Sequence, residues 1–194
     1  MVLERTDYSK KREDKYLNQD LFNKISQLKS LGNELIRLID SIIANLKLNN
    51  IGEIVNTATE IKAFNSTFKA NLVQVISLFN DTIKNLTEDM GESVKENNIN
   101  KTRNIIAAQR ILSVEKEFLT TIEKELAIIE KYSLEFSKDN YNYEQNIINA
   151  KEKKGAIIQL SMVRSLLYSL IIDKERDILN QTRQARKILI DYSS

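Results

Sequence analysis

Apolar residues recur every three or four positions along most of this chain, and this spacing places them on one face of an α-helix. Four such stripes follow one another, over residues 21–46, 51–86, 105–136 and 147–188. The pattern predicts an all-α protein with helices near residues 18–48, 51–88, 100–137 and 143–191. The third stripe has charges of both signs on its other face, which is typical of a surface in contact with water.

Breaks in this pattern mark the expected chain reversals. Asn49, Asn50 and Gly52 lie at the first break, and the period is lost over residues 87–98, where we expect a loop. The triplet Asn-Asn-Ile occurs at both breaks, but the similarity around it fades within two turns, so we interpret it as chance rather than as a duplicated hairpin. Gly32 lies inside the first helix and costs about 1 kcal/mol relative to alanine, so that helix can kink there.

Composition favours long helices joined by few turns. The 194 residues include no proline and four glycines, whereas a sheet protein of this size needs many turns. Long helices with short connections run antiparallel, which predicts an up-down-up-down bundle of about four helices that pack as in a coiled coil. We expect one domain over residues 17–194, preceded by a charged and partly ordered lead-in over residues 1–16.

This sequence lacks residue types that most enzyme mechanisms require. The absence of histidine and cysteine removes the usual nucleophilic systems, zinc sites and the di-iron sites of four-helix bundles. A magnesium enzyme built on carboxylates is the alternative. However, Glu115 and Glu117 lie two positions apart, as do Glu123 and Glu125, so each pair diverges by about 200° on a helix. We therefore predict that the protein is not an enzyme and has no catalytic residue, metal site or cofactor.

Residues 155–172 form the most apolar segment and have nearly the length of a membrane span. Gln159 and Arg164 lie in its middle, and a charge at the centre of a bilayer costs about 2.5 kcal/mol or more. We therefore expect a helix that its neighbours bury on most sides, with Arg164 reaching the surface or an acidic partner. A conditional membrane segment is the alternative.

Aromatic side chains gather at the turn between the third and fourth helices. Tyr132, Phe136, Tyr141 and Tyr143 are the candidate partner-binding residues, because exposed aromatic side chains often dominate binding. The competing interpretation is that they plug the end of the bundle core. The net charge is +2, and the basic clusters of the fourth helix lie at its opposite ends, so no nucleic-acid groove is expected.

These features favour a non-enzymatic bundle that binds a partner protein or itself, as a binding, scaffold or structural module. One alternative is the ligand-sensing domain of a membrane receptor, which transmembrane helices in the parent gene would support. Another is a membrane-active protein that uses residues 155–172, although a membrane is the less favoured partner. No small molecule can be named as a partner.

The expected location and source follow from weaker features. The N-terminus has no signal-peptide core, so a cytoplasmic location is the default, and an exported or surface domain whose signal was removed fits as well. The excess of isoleucine, asparagine and lysine indicates a low-GC, bacterial genome.

Overall fold

A computed structural model describes residues 17–137 and 150–190, and it is helical apart from the turns. Helix α1 spans Gln19–Leu48, α2 spans Ile51–Lys95 and α3 spans Ile99–Glu135. The fourth helix consists of α4 over Ala150–Ser169, a π-helical turn over Leu170–Lys174 and α5 over Glu175–Ile190. Within these described ranges there is no strand and four helices pack together, which confirms the all-α bundle. The expected lead-in over residues 1–16 lies outside the described residues.

The chain divides into two compact units, and each unit takes a segment of every helix. Unit 1 comprises Met1–Ser26, Val73–Thr120 and Glu175–Ser194, and unit 2 comprises Gln27–Leu72 and Thr121–Lys174. That residues 17–194 fold as one domain stays a prediction.

The core of unit 2 is built from inward positions spaced by three and four residues. Its buried apolar residues include, segment by segment, Leu28, Leu35, Ile39, Ile42 and Leu46; Ile54, Ala58, Ile61, Phe68 and Leu72; Ile122, Leu126, Ile129 and Phe136; and Ala156, Leu160, Val163, Leu167 and Ile171. Burial of such side chains is the dominant favourable contribution to folding. The four stripes predicted from the sequence thus face one another in this unit.

Gly32 occupies one of these inward positions and does not interrupt α1. A Cβ atom at this glycine would lie 2.7 Å from Cδ1 and 3.0 Å from Cγ1 of Ile171, and 3.5 Å from Cε2 of Phe68. The side chain of Ile171 therefore fills the space that a larger residue at position 32 would need. Close packing, which the sequence pattern alone did not indicate, explains a glycine inside this helix.

Asn65 is one of the buried polar residues of unit 2, which also include Thr57, Asn71, Ser133 and Ser137. The apolar pattern of α2 weakens at this residue, yet Asn65 is 1% exposed and continues the inward spacing between Ile61 and Phe68. Its Oδ1 atom is buried without a hydrogen-bond partner among the described residues. A buried amide of this kind costs stability, and in coiled coils it can fix which side chains pack together.

The core of unit 1 mixes apolar and polar residues. The apolar members include Leu21, Ile25, Val75, Phe79, Leu86, Ile105, Ala108, Leu112, Leu119, Ile178 and Ala185. The polar members are Thr82, Asp89, Ser93, Glu175 and Thr182. These polar residues hold inward positions, so the apolar period is interrupted there although the helix continues.

The loop expected over residues 87–98 is wrong, since α2 continues to Lys95. Asp89 and Ser93 keep the inward spacing of Leu86, and the Ser93 hydroxyl bonds to the carbonyl of Met90 at 3.0 Å. Ser93 Oγ also lies 2.8 Å from Thr102 Oγ1 of α3. These hydrogen bonds satisfy the buried hydroxyl, so the last turns of α2 form without apolar side chains.

The α1–α2 and α2–α3 turns use the same backbone conformation. Asn49 has a φ of 55° and Asn97 a φ of 56°. The next amide in each turn donates to a helix carbonyl five residues earlier: Asn50 to Asn45 at 3.1 Å and Asn98 to Ser93 at 2.9 Å. Asparagine tolerates this left-handed conformation, which ends helices in the Schellman motif. The repeated Asn-Asn-Ile triplet therefore forms the same turn at both positions, and the interpretation that the wider similarity is chance stays a prediction.

We expect Asn97→Ala to lower the free energy of unfolding by about 1 kcal/mol, because the left-handed backbone conformation is less favourable for alanine than for asparagine. Urea unfolding followed by circular dichroism measures this loss. Asn56→Ala is the control, since Asn56 is exposed inside α2, where alanine favours the helix. Equal effects of the two substitutions would contradict the role assigned to the turn.

The π-helical turn Leu170–Lys174 changes the spacing of buried residues in the fourth helix. Val163, Leu167, Ile171 and Glu175 are all buried and follow one another in steps of four, and Leu170 beside Ile171 is buried as well. A π-helical turn accommodates one extra residue in this way. As a result, residues on both sides of the turn keep an inward face.

Candidate functional site

The fourth helix carries a second apolar face in unit 2, on the side opposite its buried residues. Ile158, Met162 and Ile172 are 52%, 61% and 54% exposed. Together with Ser165 and Ser169 they follow one another in steps of four and three, and we call these five residues the outer stripe. Tyr168, which is 48% exposed, lies beside it. The outer stripe contains no charged residue.

Low burial of this helix corrects an expectation from the sequence. Over its most apolar 18-residue window the mean hydropathy is 1.6, but only 33% of the window is buried. In length and composition the helix could cross a membrane, a property that core helices of soluble proteins share. The expectation that its neighbours bury it on most sides is wrong, because they cover one face and the outer face is also apolar.

Arg164, the only charge within residues 155–172, is held away from the outer stripe. Its Nε and Nη2 atoms donate to the two carboxylate oxygens of Asp40 at 3.0 and 3.1 Å, as a bidentate pair with α1. The guanidinium carbon also lies 5.4 Å from the ring centre of Tyr168. The hydrogen bond to Asp40, and then its negative charge, raise the pKa of Arg164 above its usual value. The predicted acidic partner of Arg164 is thereby confirmed.

Charged residues lie at both ends of the outer stripe. Lys151 and Lys154 are exposed at its start, and Lys153 donates from Nζ to Asn49 Oδ1 at 3.0 Å. Asp173 and Lys174 are exposed at its far end. An uncharged apolar centre bordered by charged residues resembles the core and rim of a protein interface.

The predicted aromatic site is described in part. Tyr132 and Phe136 are 5% and 3% exposed, with ring centres 6.0 Å apart, and the Tyr132 hydroxyl donates to Gln159 Oε1 at 2.9 Å. These positions leave little ring surface for a partner in this conformation. Tyr141 and Tyr143 lie outside the described residues, and a partner-binding role for the four residues stays a prediction.

The acidic residues of α3 form no metal centre that the structure describes. Across residues 17–137 and 150–190 there is no group of three or more Asp, Glu, His or Cys side chains that could hold a metal ion. Glu115, Glu123 and Glu125 are half-buried, and Glu117 is exposed.

We compared the chain with protein-family models, with curated proteins and with solved structures. None of them matches it. The function therefore has to be inferred from the chemistry of the chain's own surfaces, of which the outer stripe is the most distinctive.

Proposed function

We propose that this chain is a non-enzymatic helical bundle that works as a protein-binding or scaffold module, with the outer stripe as its contact surface. The observation that carries the proposal is the exposure of Ile158, Met162 and Ile172 on one uncharged helix face. Contiguous apolar patches on soluble proteins commonly mark interaction sites, because covering them removes apolar surface from water.

The spacing of the outer stripe supports recognition of another helix. Partners that pack helix against helix use anchors at steps of three and four, as the five stripe residues are arranged. Ser165 and Ser169 are small, so a second helix can approach closely between the larger anchors. The hydrogen bonds that Arg164 donates to Asp40 and that Gln159 accepts from Tyr132 hold these two long polar side chains to the sides of the outer stripe.

We further propose that the helices follow the up-down-up-down order expected from the sequence. Contacts within each unit support it. In unit 2, Asn49 of the α1–α2 turn meets Lys153, whereas Asp40, earlier in the chain, meets Arg164, further along α4. In unit 1, α2 and α3 meet at Ser93 with Thr102, and at Thr87 with Gln109. In both pairs of segments, contacts later in one helix involve residues earlier in the other, as in antiparallel helices.

The proposal predicts that Met162→Lys abolishes association. A lysine there places a charge in the centre of the apolar contact, where desolvating it is costly. Light scattering after size-exclusion chromatography, together with pull-down from a lysate of the source organism, measures association. Val114→Lys is the matched control, since Val114 is 64% exposed but lies on α3. A wild-type chain that is strictly monomeric and captures nothing would refute the proposed function.

A membrane surface is the second candidate, because the same helix has the length and hydropathy of a membrane span and only 33% of its most apolar 18-residue window is buried. Co-sedimentation with vesicles of neutral and of anionic lipids, and dye leakage from them, test this function. Binding that Met162→Lys abolishes and Val114→Lys retains would favour the membrane over a protein partner. Absence of binding to both vesicle types would remove the membrane candidate.

A further inference from the structure

We infer that the outer stripe binds a second copy of this chain, in an antiparallel arrangement about a two-fold axis that passes near Ser165. The inference rests on the proposed function, because it assumes that the outer stripe is a protein-binding surface. It goes further in naming the partner and the orientation.

The order of residues along the outer stripe is the first argument for a second copy. A two-fold axis at Ser165 brings Ile158 of one copy to the level of Ile172 of the other, since each lies seven positions from the axis. It likewise brings Met162 to the level of Tyr168. A two-fold interface uses the same patch on both subunits and therefore has to be complementary to itself. Large apolar residues on both sides of a small central serine meet that requirement.

Charge is the second argument, and it selects the antiparallel orientation. The start of the stripe carries Lys151, Lys153 and Lys154 with Glu152 and is positive on balance, whereas its far end carries Asp173 beside Lys174 and is neutral. A parallel pair would place two lysine-rich ends side by side, and this repulsion would weaken it. An antiparallel pair places each lysine-rich end beside the end that carries the other copy's Asp173.

The size of the surface is the third argument. Three large apolar side chains of the stripe, each more than half exposed, and the adjoining Tyr168 form a patch on the order of a few hundred Å². A standard interface buries about 800 Å² on each partner, with an apolar centre and a polar rim. The patch has the size of that centre, and the charged residues at both ends of the stripe supply a rim.

Sedimentation equilibrium or light scattering on the full chain tests the dimer, over concentrations from about 1 μM to 1 mM. We expect a dimer mass for the wild type and for Val114→Lys. Met162→Lys enters the interface twice in a two-fold dimer, so we expect it to raise the dimer dissociation constant by about 100-fold or more.

Cross-linking through single cysteines tests the orientation, and the chain suits it because it contains no native cysteine. Ser165→Cys lies near the axis, so it should form an intermolecular disulfide under mild oxidation, because Cβ atoms about 4 Å apart can be bridged. Ile158→Cys should not, because its two copies lie about 21 Å apart along an antiparallel pair. Mixing Ile158→Cys chains with Ile172→Cys chains should give a disulfide between the two variants, because these positions lie at the same level in the antiparallel pair.

The outcomes separate this inference from the proposed function. A dimer that Met162→Lys does not weaken, or Ile158→Cys chains that link to each other as readily as Ser165→Cys chains, would overturn the antiparallel stripe dimer. A wild-type monomer at every concentration would also overturn it. If that monomer still captured a partner from lysate and Met162→Lys lost it, the proposed function would stand without the second copy. A monomer that captures nothing would refute both.

Discussion

Replacing Phe68 with alanine is expected to lower the free energy of unfolding by about 3–5 kcal/mol, the largest loss predicted here. Phe68 is fully buried in unit 2, and its ring lies near Gly32, in the same part of the core as Ile171. Truncation removes most of its apolar contacts and leaves a cavity, because close-packed neighbours relax only partly into the space. Guanidinium unfolding followed by far-ultraviolet circular dichroism measures the loss as a shift of the midpoint.

Phe64→Ala provides the matched control for Phe68→Ala. Phe64 lies one turn earlier on α2 and is half-buried, so the same truncation removes less buried surface. We expect its cost to be well under half that of Phe68→Ala. Equal costs, or a loss under about 1 kcal/mol for Phe68→Ala, would show that this part of the core is not packed as described.

Gly32→Leu is expected to cost about 3 kcal/mol or more, for the opposite reason. A Cβ at this position already falls 2.7 Å from Ile171 Cδ1, and the leucine side chain would extend further into occupied space. Leucine favours helices over glycine by about 1 kcal/mol, but overpacking of a buried site outweighs that gain. The measurement is again the unfolding free energy, together with the near-ultraviolet signal that reports fixed packing.

Two variants separate overpacking at Gly32 from other effects of the substitution. Gly91→Leu makes the same change on α2, where nothing lies within 4 Å of an added Cβ, so we expect a gain of about 0.5–1 kcal/mol. Ile171→Ala removes the side chain nearest to position 32. Combined with Gly32→Leu it should cost less than the sum of the two single substitutions. A simple sum would mean that the two residues do not compete for space.

The helical parts of the fold could be predicted because apolar periodicity reports which face of a helix is inward. That signal fails where inward residues are polar. Asp89 and Ser93 hide the last turns of α2, and the hydrogen bond between Ser93 and Thr102 that supports them forms only when α3 packs alongside. Both turns were predicted from the sequence, but only the structure shows that Asn49 and Asn97 adopt the same left-handed backbone conformation.

The candidate site was only half visible in the sequence. Residues 155–172 stood out as apolar, and a second set of apolar positions, Ile158, Met162 and Ile172, follows the helical spacing out of phase with the buried set. Periodicity alone does not say whether neighbouring helices cover one face or both, because that depends on how many helices surround the segment. Tyr132 and Phe136 illustrate the same difficulty, since an aromatic cluster has the same pattern in a core and at an interface.

The π-helical turn at Leu170–Lys174 also constrains how this protein can be redesigned. The pattern of inward positions in the fourth helix is offset by one residue between the stretches before and after the turn. A seven-residue motif copied from α4 and continued without correction through α5 would point its apolar side chains toward water. Any lengthening or grafting of this helix therefore has to restart its pattern at Glu175.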